Sequence, residues 1–152
     1  MPAGVAVGNG DLERRTLRNS DSVAINRRLF VCFNNIVDAG FVNMAHANAG
    51  EVAGLIEDVG RDMSNPGVSD MVAATNTPVG QLARIRYRGT GQARAVALAC
   101  RAGTKAYVVK TGGDAGRVTN TSNSGANPLV GVFESSTTGT LDELVLVNID
   151  LM

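Results

Sequence analysis

This 152-residue chain contains side chains of catalytic type, but their spacing matches no catalytic motif. His46 is the only histidine, so a metal site built on several imidazoles is excluded and a catalytic triad would depend on this one side chain. No Gly-x-Ser-x-Gly nucleophile elbow occurs. The glycine-rich residues 112–116 lack the Lys-Ser/Thr pair and the following helix of a phosphate-binding loop. The sequence therefore predicts a protein that is not an enzyme and that has no catalytic residue, metal site or cofactor.

The two cysteines, Cys32 and Cys100, do not have the spacing of metal ligands, and both lie in or beside apolar runs. Buried free thiols are therefore expected in preference to a disulfide. The N-terminus lacks the basic start and apolar segment of a signal peptide. No apolar run approaches the length that a membrane span requires. The sequence predicts a soluble protein that is made in a cytoplasm and has no membrane partner.

The elements that position these residues are predicted to be short β-strands. Eighteen glycines punctuate the chain, and residues 81–88 alternate so that Arg84 and Arg86 lie on the face opposite Ile85. A strand is also expected at 52–56, although the apolar spacing there would fit a helix as well. Many short strands with glycine-rich turns indicate an all-β protein, either a compact β-barrel or a barrel-like sandwich.

The apolar and turn residues occur twice along the chain in the same order. Residues 38–42 (Asp-Ala-Gly-x-Val) match residues 114–118 with an offset of 76 (114 − 38). Residues 54–57 (Gly-Leu-Ile-Glu) match residues 131–134 (Gly-Val-Phe-Glu) with an offset of 77 (131 − 54). Two copies are fewer than the three that a solenoid usually needs, so they predict one closed unit with an internal pseudo-twofold repeat.

A third match, between residues 80–87 and 139–146, has an offset of only 59 (139 − 80). The first copy would then contain about 18 extra residues (77 − 59), in one long loop at 60–78. Residues 1–20 have no apolar period and are either a disordered tail or an extended arm that orders against a neighbouring subunit. The predicted division is an N-terminal arm at 1–20 and a barrel domain at 21–152, with repeat halves at about 22–88 and 93–150.

Charge is distributed unevenly although the net charge is zero. Residues 80–117 contain eight basic residues and one acidic residue, whereas residues 118–152 contain four acidic residues and no basic residue. Two interpretations are open: the charges neutralise each other within the monomer, or complementary faces meet between subunits. Tyr87 is the only aromatic residue among the arginines of 84–94, so no stacking surface for nucleic acid is predicted.

The second half of the chain resembles the capsid cement, or head decoration, proteins of tailed bacteriophages. In that family a strand entered through glycine leads to a Gly-x-Val-Thr turn, a Pro-hydrophobic-Gly-Val strand, a small-residue turn and a final strand alternating Val and Leu. The similarity covers about residues 80–150 and, more weakly, 29–58. The matching residues are Gly103, Tyr107, Gly116, Val118, Thr119, Pro128, Gly131, Val132, Gly139, Val145 and Val147.

The resemblance implies a β-barrel that forms a homotrimer on the outer surface of the virion, where it binds the major capsid protein and stabilises its lattice. Arms and loops would order on binding, and residues 1–20 and 60–78 are the candidates. Deleting residues 1–18 is then expected to leave a folded barrel that binds heads less well. The candidate residues for capsid or subunit contacts are Arg14, Arg15, Arg18, Asn65, Pro66, Arg84, Arg86 and Arg88.

Two alternatives remain open. The chain could be another β-barrel module of a virion, such as a tail or spike component. Residues 54–58 also faintly resemble the Gly-hydrophobic-Ile-Asp segment of trimeric dUTPases, which would imply a nucleotide hydrolase. This chain lacks that family's downstream tyrosine, and no C-terminal glycine-rich arm follows Ile149.

Overall fold

The structure, a computed structural model, describes residues 13–59 and 76–151, and these residues form twelve β-strands and no helix. The all-β prediction is therefore confirmed, and residues 49–59 form a strand, not a helix. The strands are β1 (Arg14–Asn19), β2 (Ile25–Asn26), β3 (Phe30–Asn34), β4 (Gly40–Asn43), β5 (Ala49–Val59), β6 (Asn76–Thr77), β7 (Leu82–Arg86), β8 (Arg88–Arg94), β9 (Lys105–Val108), β10 (Val118–Thr119), β11 (Leu129–Phe133) and β12 (Leu144–Asp150).

The first half of the chain forms a closed barrel with the strand order β1-β4-β3-β5-β7. All neighbouring strands are antiparallel except β1 and β4, which pair in parallel and close the barrel. The barrel prediction is thereby confirmed. The short strands β2 and β6 pair with each other beside this barrel. Most of the predicted long loop, residues 60–75, lies outside the described residues, and β6 follows directly after them.

The assignment of residues 1–20 to an arm is corrected by β1. This strand pairs with β7 from Arg14 to Arg18, and Leu17 is buried inside the barrel. Asn19 is buried too, and its side-chain amide donates hydrogen bonds to the carbonyl oxygens of Thr77 (2.8 Å) and Val23 (3.1 Å). Residues 1–12 lie outside the described residues. Sequence periodicity missed β1 because Leu17 is its only large apolar residue.

The second half forms a five-stranded sheet with the order β10-β9-β11-β12-β8. An isolated parallel bridge between Ala95 and Val118 joins its two outer strands, and the Val96 N–H donates to the Val118 carbonyl oxygen at 3.0 Å. The strand β8 is the counterpart of β1. The strands β9, β10, β11 and β12 are, in that order, the counterparts of β3, β4, β5 and β7. With this correspondence, each strand has the equivalent neighbours in both halves. The predicted boundary between halves, at 89–92, lies inside β8.

Strand registers support the inference that the halves are copies of one unit. Cys32 pairs with Val42, and Val108 pairs with Val118, so both members of the pair repeat at the offset of 76 (108 − 32 and 118 − 42). The surroundings of each repeated glycine are equivalent as well. A Cβ added at Gly54 would lie 2.2 Å from the Arg86 carbonyl oxygen, and one added at Gly131 would lie 1.9 Å from the Asn148 carbonyl oxygen.

These close approaches correct the third sequence match. Arg86 and Asn148 occupy equivalent positions, so the offset between β7 and β12 is 62 (148 − 86) and not 59. The same offset superimposes the buried Ile85 on the buried Val147. The excess length of the first copy is therefore 15 (77 − 62), not 18. The sequence match followed the turn glycines Gly80 and Gly139, which do not occupy equivalent positions.

Two apolar cores fill the molecule, and β3 contributes to both. Val31 belongs to the core of the first barrel, whereas Phe30 and Cys32 belong to a second core shared with the other sheet. In β5, Ile56 belongs to the core of the first barrel and Leu55 belongs to the shared core. Because these strands are buried on both faces, their sequences read as continuous apolar runs and do not alternate.

Gly131→Ala tests whether the close strand approach is required. The added methyl group would meet a backbone carbonyl that the β11–β12 ladder holds in place, so we expect a loss of about 1–3 kcal/mol in the free energy of unfolding, measured by urea denaturation. Gly113→Ala is the control, because no atom lies within 4 Å of its added Cβ. Equal stabilities of the two variants would contradict the proposed packing constraint.

Leu17→Ala tests whether β1 belongs to the barrel. Truncating this buried side chain should cost about 2–4 kcal/mol of unfolding free energy, whereas Thr16→Ala, on the exposed face of the same strand, should cost less than about 0.5 kcal/mol. Deleting residues 1–18 removes most of β1 and should abolish cooperative thermal unfolding. A truncated protein that unfolds at the wild-type temperature would show that the barrel does not need this strand.

Candidate interaction surface

The pairing of β1 with β7 brings together arginines that are distant in the sequence. Thr16 lies opposite Arg84, and Arg14 lies opposite Arg86. Arg14, Thr16 and Arg84, together with Arg18, form a basic surface on the first barrel. A pocket of about 140 Å³ on it is lined by Arg14, Arg15, Thr16 and Arg84. We call Arg14, Thr16, Arg18 and Arg84 the arginine face.

One carboxylate holds two of these arginines. Glu57 accepts a hydrogen bond from Arg14 Nε at 2.6 Å and from Arg86 Nε at 2.5 Å. Arg86 also contacts Glu13 and donates to the Arg88 carbonyl oxygen, each at 3.0 Å. Arg86 is only 8% exposed. Its side chain therefore joins the first barrel to the start of β8.

The remaining predicted residues differ in their surroundings. Arg15 lies between two aromatic rings, with its guanidinium carbon 4.1 Å from the Tyr87 centroid and 4.9 Å from the Phe33 centroid. Arg88 lies on the second sheet, because Tyr87 separates β7 from β8. Arg18 donates to the Gly80 carbonyl oxygen. Asn65 and Pro66 lie outside the described residues.

The arginine face carries positive charge that the described residues do not neutralise. Among the side chains that the structure describes, at 13–57 and 76–151, no carboxylate forms an ion pair with Arg18 or Arg84, whereas Arg14 is paired with Glu57. A guanidinium group presents several donors in a planar fork that matches a carboxylate. Chemically, this surface is suited to binding acidic groups of another molecule, with a strength that decreases as salt concentration rises.

A second ion network connects three parts of the second sheet and was not predicted from the sequence. Asp142 accepts two hydrogen bonds from Arg117, at 2.7 and 3.3 Å, and lies 3.7 Å from Arg94. Hydrogen bonding from Arg117 lowers the pKa of Asp142, and the same contact raises the pKa of Arg117. Here the opposite charges neutralise each other within the monomer. No periodic spacing in the sequence indicates this pairing.

Other chemistry-bearing residues have structural surroundings. Cys32 and Cys100 are buried free thiols, as predicted, and burial raises the pKa of both. The His46 Nδ1 atom accepts a hydrogen bond from the Asn48 N–H at 3.0 Å. In the described part of the chain, no group of three or more His, Cys, Asp and Glu residues could hold a metal ion. The same residues include no helix long and apolar enough to cross a membrane.

Comparison with solved structures identifies a similar fold. The chain matches a chain of the structure described as "The capsid of Myoviridae Phage XM1", with a TM-score of 0.56 and 15% sequence identity. The match covers 90% of this chain and 82% of that chain. The similarity therefore spans both halves of the molecule and establishes a shared fold. No protein-family model matches the chain, and no curated protein gives a significant match.

Asp142→Asn tests the second ion network through its pH dependence. The lowered pKa means that the carboxylate stabilises the folded state above its unfolded pKa of about 3.9, and that this contribution is lost as the pH falls through the folded-state value. We expect the variant to be about 1 kcal/mol less stable than the wild type at pH 7, because the pair is partly exposed. The difference should shrink as the pH falls below about 3.9 and disappear below the lowered folded-state pKa of Asp142.

Asparagine also suits the backbone at this position, where φ is 65°, so the substitution changes charge with little added strain. Asp114→Asn is the control, because the Asp114 carboxylate is exposed and lies 3.7 Å from Arg117. Its stability should equal that of the wild type across the pH range. A stability difference for Asp142→Asn that stays constant as the pH falls from about 7 to well below the unfolded pKa of about 3.9 would contradict the assigned ion pair.

Proposed function

We propose that this chain is a decoration, or cement, protein of a tailed-phage virion, which binds the outer surface of the head and stabilises the lattice of the major capsid protein. The observation that carries the proposal is the fold similarity to a chain of a phage capsid structure over 90% of this chain. The sequence resemblance of residues 80–150 to head decoration proteins gives independent support.

The surface chemistry supports a binding role. The arginine face offers Arg18 and Arg84 to acidic groups, and we propose that it contacts the major capsid protein. The two packed cores and the closed barrel supply a rigid support, so little conformational freedom is lost when a shell surface is bound. We further propose that the chain acts as a homotrimer, because several linked copies on a symmetric shell would gain retention through avidity.

The number of copies per virion is the first measurement. Quantitative peptide mass spectrometry of purified virions should give a ratio to the major capsid protein near one to one, or a simple fraction of that order. A handful of copies per particle would instead favour a tail or spike component. Absence of the chain from virions would overturn the structural proposal and would favour an enzyme.

Arg84→Glu tests the assignment of the capsid-binding surface. Purified protein is added to heads that lack it, and the bound amount is measured at increasing salt concentration. We expect roughly tenfold weaker binding for the variant, because a charge on the bound surface is reversed. Arg101→Glu makes the same change at an exposed position outside the arginine face. An equal loss of binding in both variants would contradict the assignment of this surface. It would not contradict the proposal that the protein binds heads.

A further inference from the structure

An exposed turn of the first barrel has an apolar tip. Residues 35–39 connect β3 to β4, and all five are exposed. Ile36 is 73% exposed and Val37 is 44% exposed, and Asp38 follows them. The turn is ordered by hydrogen bonds, since the Ile36 N–H donates to the Asn34 side-chain oxygen at 2.9 Å and the Gly40 N–H donates to the Val37 carbonyl oxygen at 3.3 Å. Two neighbouring aliphatic side chains are thus held in solvent.

The second half shows that this turn does not need aliphatic residues. At the offset of 76, Ile36 and Val37 correspond to Gly112 and Gly113. The aspartate is present in both turns, but its surroundings differ. Asp114 lies 3.7 Å from Arg117, whereas Asp38 forms no ion pair with any described residue. The apolar pair and the unpaired carboxylate of the first turn are therefore not explained by the folding of the turn.

The outer face of the second sheet carries an apolar surface of complementary character. A groove of about 420 Å³ has Leu129, Gly131 and Val132 in its lining, and Arg88 and Lys105 line it as well. Leu129 is 53% exposed and Val132 is 42% exposed, so the apolar lining is accessible. The exposed Leu144 and Leu146 of β12 lie on the same sheet, and the volume is within the range of small binding pockets.

The first barrel buries the corresponding surface. Val132 corresponds to Leu55 at the offset of 77, and Leu55 is completely buried. A Cβ at Gly91 would lie 2.8 Å from Leu55 Cδ2, so β8 of the second sheet covers this residue. The same surface of the repeated unit is thus covered within the chain in the first copy and uncovered in the second. The uncovered surface of the second copy is therefore suited to being covered by another molecule.

We propose that the turn at 35–39 of one copy inserts into this groove on a second copy of the chain. Ile36 and Val37 would cover Leu129 and Val132, removing exposed apolar area from water on both sides. The proposal rests on the proposed self-association and is independent of head binding.

Charge at the groove favours this occupant. Arg88 and Lys105 form no ion pair with a described residue, although Asp150 also lines the groove. The carboxylate of Asp38, next to the apolar tip, would supply an acceptor to these two cations. Turn and groove therefore match in two respects, apolar against apolar and anion against cation. Such a match orients the contact as well as strengthening it.

The proposed contact is heterologous, because turn and groove are different surfaces of one chain. Each copy then offers one turn and one groove, and the contacts form a closed ring when the rotation between copies closes. A ring of three copies agrees with the proposed homotrimer. Each contact is small, but ring closure makes the last contact intramolecular and raises the stability of the whole assembly.

Two complementary variants test the contact by sedimentation velocity of the full chain, without heads. Ile36→Gly with Val37→Gly gives the turn the sequence of its counterpart, and Val132→Asp places a charge in the groove. Each should associate at least roughly tenfold more weakly than the wild type, since burial of exposed apolar side chains is lost. Val79→Ser is the control, because this 52% exposed valine belongs to neither surface. Unchanged thermal unfolding would show that the variants are folded.

Mixing the two variants gives the decisive result. The turn variant keeps its groove and the groove variant keeps its turn, so an equimolar mixture should form a dimer through one intact contact. A monomeric wild type, wild-type association of either variant, or a mixture that associates no more strongly than either variant alone would each overturn the proposal. The copy number in virions is measured separately, so failure of this contact is distinguishable from failure of the proposed decoration function.

Discussion

The carboxylate of Glu57 lies where the two halves of the molecule meet, and the arrangement of both depends on it. It holds Arg14 of β1 and Arg86 of β7, and a Cβ at Gly91 of β8 would lie 3.4 Å from its Oε2 atom. A buried guanidinium without a partner would be strongly destabilising, so this carboxylate, together with Glu13, allows Arg86 to be covered by β8. The junction thus fixes the position of the second sheet on the first barrel.

The equivalent carboxylate in the second half has a different kind of hydrogen-bond partner. Glu134 corresponds to Glu57, and it accepts a hydrogen bond at 2.8 Å from Thr90, which corresponds to Arg14. In both halves the glutamate occupies the same position and contacts the equivalent strand. In the second half a neutral hydroxyl group replaces the arginine as the donor. Asn148 stands where the first half has Arg86. The backbone of the unit is therefore retained while its surface charge differs, and binding properties are a matter of these surfaces.

The sequence predicted what local pattern and repetition encode. The short strands, the repeated glycines Gly54 and Gly131, and the buried thiols follow from apolar runs, from matching order and from composition. β1 was missed because its strand character comes from pairing with β4 and β7, which is not visible in a segment with a single large apolar residue. The alternation that placed Arg84 and Arg86 on one face was sound, but burial of Arg86 depends on β8, whose packing no local pattern reveals. The pairing of Arg117 with Asp142 is likewise a tertiary contact that no local pattern reveals.

Closure of the strands restricts how this molecule can recognise a partner. An open sheet edge can bind another chain by adding a strand, with affinity supplied mainly by backbone hydrogen bonds. In the first barrel every strand has neighbours on both sides, and in the second sheet the outer strands are joined at Ala95 and Val118. Recognition by the first barrel and the second sheet is therefore expected to rely on side chains that project from their surfaces. The two features that the folding of the unit does not explain, the arginine face and the apolar turn, are surfaces of this kind, which is why differences between the two copies indicate binding more clearly than their similarities do.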